Sequence, residues 1–302
     1  MTADASSKLP MPADGSAPLS RGQMATLAIL METSAPKPGN VHRGADFDDM
    51  TFFDFAAGAV AISPAIDSAA QGVRLGRIVH EAIAATRREV GLNTNLGTVL
   101  LFAPLAMVAD GENFSSGVSR VLADLNAEDA RLVYAAIGLA QPGGMGKVEE
   151  HDIAGQPPDD LLVAMRAAAD RDLVARQYAN GFSEIFETVV PALRAGLTRG
   201  WCLADTIVRT HVELLAKYPD SLIQRKCGAK VASESALRAQ QTIDAGEPGD
   251  ENYAFALAEF DFWLRSDHHR RNPGTTADLI AGGLFAALRE GIIKPPYRWS
   301  TL

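Results

Sequence analysis

The stretch TNLGTVLLFAPLAMV, residues 94–108, decides the fold. Its apolar side chains neither alternate, as a half-buried strand requires, nor keep to one helical stripe. The run is also longer than an ordinary buried strand. Val99, Leu100, Leu101, Leu105 and Val108 fall on nearly all sides of a helix, so the spacing predicts a buried central helix with Thr94 as its N-cap. Such a helix needs a shell of other helices around it.

The flanking sequence supplies that shell. Upstream, Met24, Leu27, Leu30 and Met31 share one face of a helix that begins after Ser20. It must stop before Pro36, because a proline pushes the preceding residue out of the α region. Thr51 is placed to cap an apolar helix over residues 52–70, with a kink or break expected at Pro64 and a stop at Gly72. Residues 74–90 are amphipathic and close at Gly91. Downstream, helices are expected over 116–125 and 127–140, the second capped by Asn126 with Asp129 in its first turn.

Pro158 is expected to open a short helix, and helical patterning from Asp170 to Gly200 is interrupted at Gly181 and Pro191. Residues 203–217, 229–245, 251–267 and 277–290 each keep the 3.6-residue period. No segment has a convincing period of two, and no internal repeat occurs at solenoid spacing. The expected fold is therefore all-α, a single large bundle of about ten or more helices with functional interhelix loops. Residues 1–20 read as a disordered lead, 21–293 as one helical catalytic domain and 294–302 as an irregular tail.

Composition narrows the function classes. The 302 residues are 47% hydrophobic, ample for a packed core. A net charge of −9 argues against a nucleic-acid partner, while leaving room for a local basic pocket that holds a small anion. No uninterrupted apolar run reaches the ~18 residues of a membrane span. The first residues lack a signal-peptide core, and Cys202 and Cys227 have no CxxC spacing, so a cytoplasmic protein is expected. A homodimer is the default expectation for its assembly.

Four polar loops concentrate chemistry-bearing residues. In the first, 36–43 (PKPGNVHR), prolines stiffen the backbone, Gly39 permits close approach, and Lys37 is a donor suited to phosphate. Asp46, Asp48 and Asp49 follow with hard oxygens of the kind that hold Mg²⁺ against phosphates. The plainer alternative is a helix connector with a solvated acidic face. The second loop, 91–97 (GLNTNLG), sets Asn93 and Asn95 at a helix start, able to meet an anion, a ribose or a base edge. The third, 218–228 (YPDSLIQRKCG), joins Asp220 to a basic pair, and the fourth, 272–278 (NPGTTAD), places Asp278 one turn inside a helix. For both, a capping role is the simpler account. Gly143-Gly144-Met145-Gly146-Lys147 lacks Walker spacing, Glu149 to Asp152 read as an acidic loop, and His268 to Arg271 as a solvated basic helix end.

Taken in order, these loops resemble the triphosphoribosyl-dephospho-CoA synthase family. The resemblance rests on Lys37-Pro38-Gly39-Asn40-Val41, Asp49-Met50, Asn93-Thr94-Asn95-Leu96-Gly97, Asp220-Ser221 to Arg225-Lys226-Cys227-Gly228, and Pro273-Gly274-Thr275-Thr276-Ala277-Asp278-Leu279-Ile280-Ala281. It spans about residues 27–288 and implies an all-helical transferase of coenzyme biosynthesis. In the implied reaction ATP loses adenine, and its triphosphoribosyl group passes to the 2′-hydroxyl of dephospho-CoA. Such chemistry asks for Mg²⁺ and cations on the triphosphate, polar groups on the nucleoside and an acid–base carboxylate. The resemblance so assigns Lys37 and Arg225 to phosphates and Asp46 and Asp49 to Mg²⁺. Asn93, Thr94 and Asn95, with Gly39, Asn40, Gly97 and Gly274, go to the nucleotide, and Asp220, Asp278 or Asp49 to catalysis.

Two positions depart from the family pattern. Phe47-Asp48 and Asn95-Leu96 stand where typical members carry His-Lys. These departures resemble a divergent branch in archaea and in bacteria with methanopterin-dependent one-carbon metabolism. They give a second expectation, a ligase or transferase step on a phosphorylated pterin in tetrahydromethanopterin synthesis. A third is a non-catalytic helical binding protein.

Overall fold

The computed structural model describes residues 18–142 and 155–300, and among these it contains fourteen α-helices and no strand. The first seven are α1 (Arg21–Ser34), α2 (Phe52–Asp67), α3 (Leu75–Glu89), α4 (Leu96–Met107), α5 (Phe114–Ala123), α6 (Ala127–Ala140) and α7 (Leu161–Ala168). The rest are α8 (Leu173–Asn180), α9 (Val190–Thr198), α10 (Leu203–Lys217), α11 (Ser221–Cys227), α12 (Ala229–Asp244), α13 (Glu251–Arg265) and α14 (Gly274–Arg289). The all-α expectation stands.

The central helix is where the sequence put it. Ten of the twelve residues of α4 are buried, and α14 runs against it with Phe285 stacked on Phe102 at 4.8 Å. Both rings are fully enclosed, and deleting such a ring typically costs roughly 3–5 kcal/mol. Around this pair, α1 packs on α2 and α14, and α3 bridges α2 and α6. A second apolar cluster, including Val212, Leu215, Ile223, Phe260 and Leu264, joins α10 to α11, α12 and α13. Capping boxes at Ser20/Gln23, Thr51/Asp54 and Asn126/Asp129 fix the starts of α1, α2 and α6.

Several boundaries differ for local reasons. Thr94 does not cap α4: Asn93 Oδ1 accepts the Leu96 amide at 3.1 Å, while the Thr94 hydroxyl turns under α2 beside Gly58. Pro64 sits within α2 without breaking it, and the chain tightens into a 3-10 turn only at Ser68–Gln71, ending at Gly72. The start of α5 moves up to Phe114 because Asn113 accepts from Ser116 N. Asp160, not Pro158, opens α7. The segment Ile185–Val189 is a π turn that runs straight into α9, whose first turn absorbs Pro191. Finally, α14 starts at Gly274 rather than Ala277, since Asp220 caps it from outside.

Residues Phe52–Gln71 are long and apolar enough to cross a membrane by length and composition, with a mean hydropathy of 1.2, although 33% of that stretch is buried. Polar residues interrupt it, and one of them is engaged inside the bundle: Asp67 accepts Gly22 N at 2.6 Å and Ser20 Oγ at 3.0 Å. The lead expected to be disordered lies outside the described residues up to residue 17, as do the loops 143–147 and 149–152. Over residues 294–300 the tail is non-helical, and its Arg298 and Trp299 carbonyls accept the Leu203 and Ala204 amides at the head of α10.

Candidate active site

A cleft of about 1000 Å³ opens between α1, α4, α6, α7, α8, α11 and α14. That is at the upper end of the roughly 300–1000 Å³ common for ligand pockets, room for more than one small nucleotide. All four polar loops contribute to its lining, through Asn40 and Asp49, Asn93 to Gly97, Arg225 and Lys226, and Asn272, Gly274, Thr275, Ala277 and Asp278.

Asp278 lies on the floor. The α14 helix begins four residues earlier, so its second turn carries the carboxylate over the N-terminus of α4, where Oδ1 accepts Thr98 Oγ1 at 2.6 Å. Gly97 makes this possible by close approach: a Cβ there would stand 2.6 Å from Asp278 Cγ and overlap Oδ2. Burial, reinforced by Glu32, Asp172 and Asp220, pushes the Asp278 carboxyl up to about 7, against the pull of the Thr98 hydroxyl. A carboxyl poised there can give or take a proton near neutrality.

A second carboxylate, Glu32, reaches the same cleft from the last turn of α1. Its Oε1 lies 2.8 Å from Lys37 Nζ and its Oε2 accepts Thr33 Oγ1 at 3.1 Å. Here the expectation for Lys37 needs correcting. Its side chain is fully buried, pointing away from the cleft lining into Glu32 and the carbonyls of Glu32 and Ala35. Burial pulls its ammonium below the usual lysine range, and Glu32 pulls it back. A lysine so enclosed serves its carboxylate, not a phosphate.

The basic wall is on the other side. Arg225 Nη1 pairs with Asp172 Oδ2 at 2.5 Å, and Asp172 Oδ1 in turn caps α8 through Val174 and Ala175 amides. Arg225 Nε is buried and has no partner, and Lys226 and Arg171 line the cleft beside it. Opposite them, Asn95 is buried with Oδ1 accepting Thr86 Oγ1 at 3.1 Å, leaving its Nδ2 and the Thr94 hydroxyl unpartnered. Asn40 donates to Asn272 Oδ1 at 2.8 Å and its own Oδ1 is bare. Buried polar atoms without partners are rare in folded proteins and are completed by water, an ion or a ligand group; the bare Thr94 and Asn95 atoms lie against Gly58 of α2.

Other predicted residues do different work. Gly39 is outside the lining; it takes φ +76°, donates to Asp261 Oδ1 at 2.7 Å, and packs so closely on Leu264 that a Cβ would stand 2.8 Å from it. Asp46 is spent on the Phe52 amide at the head of α2 (2.7 Å). Asp220 is fully buried and both its oxygens are used: Oδ1 by the Leu222 and Ile223 amides, Oδ2 by Thr276 N and Oγ1 at 2.7 and 2.8 Å. It ties α11 to α14 and has no free oxygen for catalysis. Gly274 does line the cleft, under Leu222. The basic end His268 to Arg271 is turned elsewhere, with His269 stacked on Phe47 at 4.0 Å and Arg271 over Trp263.

For magnesium, the Asp46–Asp49 pair does not hold, since only Asp49 faces the cleft. Among the described residues no three His, Cys, Asp or Glu side chains gather as a ready-made ion cage. Mg²⁺ commonly takes one or two carboxylates and completes its shell with substrate phosphates and water, and an exposed Asp49 fits that donor set.

Sequence reasoning missed Glu32, Thr98, Asp172 and Arg171. Glu32 did leave a signal. It is the lone acidic residue of α1 and sits in the last turn, where the helix dipole disfavours a negative charge.

An all-helical fold and a nucleotide-sized cleft with a basic wall and a protonatable carboxyl on its floor suit the transfer of nucleotide groups. The chain belongs to the ATP:dephospho-CoA triphosphoribosyl transferase family, whose model matches residues 18–295. It is also similar to a solved chain from Archaeoglobus fulgidus, described as a candidate triphosphoribosyl-dephospho-CoA synthase. The two are 26% identical with a TM-score of 0.60, covering 78% of this chain and 99% of that one. No curated protein matches it.

Proposed function

We propose that this cleft binds ATP and dephospho-CoA together, transfers the triphosphoribosyl group to the 2′-hydroxyl of dephospho-CoA and releases adenine. One observation carries the reading: loops far apart in a chain of this family converge on one cleft that is basic at one wall and acidic on its floor. Arg225, Lys226 and Arg171 are placed for the triphosphate. Asn93, Thr94, Asn95 and Asn40 line the same cleft and are the contacts we assign to ribose and base, with the bare Asn40 Oδ1 as an acceptor.

Breaking the glycosidic bond builds positive charge at C1′, which the acidic floor stabilises. Asp278 is the acid that protonates departing adenine. Mg²⁺, when bound with ATP at Asp49, neutralises charge on the triphosphate. A tetrahydromethanopterin step and a non-catalytic role are the less favoured readings.

The direct test is to incubate the protein with ATP, Mg²⁺ and dephospho-CoA and measure free adenine together with the coupled product by chromatography. Adenine in equal amount to product is expected. No adenine above an enzyme-free control would sink the proposal.

A further inference from the structure

We propose that Glu32 is the base of the transfer, taking the proton of the attacking hydroxyl while Asp278 supplies the proton that leaves with adenine. This rests on the reading of the cleft given above.

The helices α1 and α14 pack side by side and bring one carboxylate each to the cleft. Their surroundings are opposite. The Lys37 ammonium lies 2.8 Å from Glu32 Oε1, while the Thr33 hydroxyl, 3.1 Å from Oε2, also reaches the Ile29 carbonyl at 2.7 Å, so Oε2 is the oxygen left for the incoming proton. Asp278 has one hydroxyl partner and the acids Glu32, Asp172 and Asp220 around it, which favours the neutral form. A carboxyl kept protonated by its surroundings, facing the same cleft as one paired with a buried ammonium, divides the roles of acid and base between them.

The step balances. The C1′–N9 bond breaks and its electron pair leaves on adenine, which receives the Asp278 proton. A lone pair of the acceptor oxygen forms the new C1′–O bond, and the hydroxyl proton passes to Glu32. Exchange with solvent then returns one proton to Asp278 and removes one from Glu32.

Lys37 is a positioning residue in this scheme. Arg265 of α13 acts electrostatically on Lys37, and burial together with Lys37 holds the fully buried His211 of α10 neutral, so Lys37 is the cation that faces Glu32.

The experiment uses Glu32→Gln and the double variant Glu32→Gln/Lys37→Met, which removes the buried pair as a unit and so avoids leaving an uncompensated charge. Expected is a fall in kcat of about 10²–10⁴-fold with unchanged affinity for ATP, by calorimetry with and without Mg²⁺. The limb of the kcat/KM profile that reports the base should disappear from the residual activity. A double variant within about threefold of the wild-type kcat overturns the assignment, as does a loss of ATP affinity that accounts for the whole effect. A wild-type protein that releases no adenine overturns the proposed function itself, whereas an active wild type with an active double variant overturns only the role of Glu32.

Discussion

Gly97 and Asp278 occupy adjoining space that no larger residue at 97 can share: the position of a Cβ overlaps Asp278 Oδ2. In most helices Gly→Ala is worth roughly 0.5–1 kcal/mol of stability, because the glycine costs more entropy on folding. At this position the sign should reverse for function. Gly97→Ala pushes the carboxylate off Thr98, and adenine release should fall by about 10²-fold, as for a displaced catalytic group. Measured kcat alongside a thermal melt checks it; a fully active Gly97→Ala enzyme would show that Asp278 need not lie where it does.

Asp278→Asn separates stability from activity. Ionising Asp278 is harder in the folded chain than in the unfolded one, so its neutral form favours folding. That contribution is complete below its ordinary value of 3.8 and is lost as pH rises through about 7. An amide keeps an acceptor for Thr98 and never ionises. The variant should match wild type near pH 4 and exceed it at pH 8, with a ceiling of roughly 4 kcal/mol at about 1.4 kcal/mol per pH unit. Its transferase activity should be lost. Denaturant titrations at the two pH values decide the matter, and equal stability differences at both would refute it.

Asp220→Ala should behave as a structural lesion. Four donors lose their acceptor at once, and buried groups left bare cost about 1–3 kcal/mol each, so a total of roughly 3–5 kcal/mol is expected after relaxation. Urea denaturation measures this directly. If instead the variant folds with wild-type stability and has lost kcat alone, Asp220 belongs to the chemistry after all.

Arg225→Ala addresses the basic wall. Asp172 still caps α8 without it, so the fold should survive. The KM for ATP should rise by about 10–100-fold with a smaller change in kcat, the signature of binding lost in ground and transition states alike. Steady-state kinetics at two ionic strengths would expose an unchanged KM, the result that removes Arg225 from the phosphate site.

Much of the fold was legible because it rests on local rules. The all-round apolar run in α4, the Thr51 and Asn126 caps and the stops at Gly72 and Gly181 are all decided within a few residues. The site was legible only in part. Asp278, Asn95 and Arg225 fall in polar stretches of sequence whose composition already looked chemical, and they line the cleft. Lys37 and Asp220 looked equally chemical but face inward, since partners far along the fold or in a neighbouring turn claim them. Glu32 was hidden for the opposite reason, one acidic residue in an apolar helix whose cleft-facing direction depends on how α1 meets α14.

The bare atoms of Asn40 and Arg225, two residues of the cleft lining, also set a rule of exclusion. A molecule that fills the shape of the cleft but offers them no hydrogen bonds leaves each one stranded, at about 1–3 kcal/mol apiece. Rejection of near-miss metabolites therefore needs no steric gate, because a compound lacking the right polar edge is turned away by the bonds it fails to make.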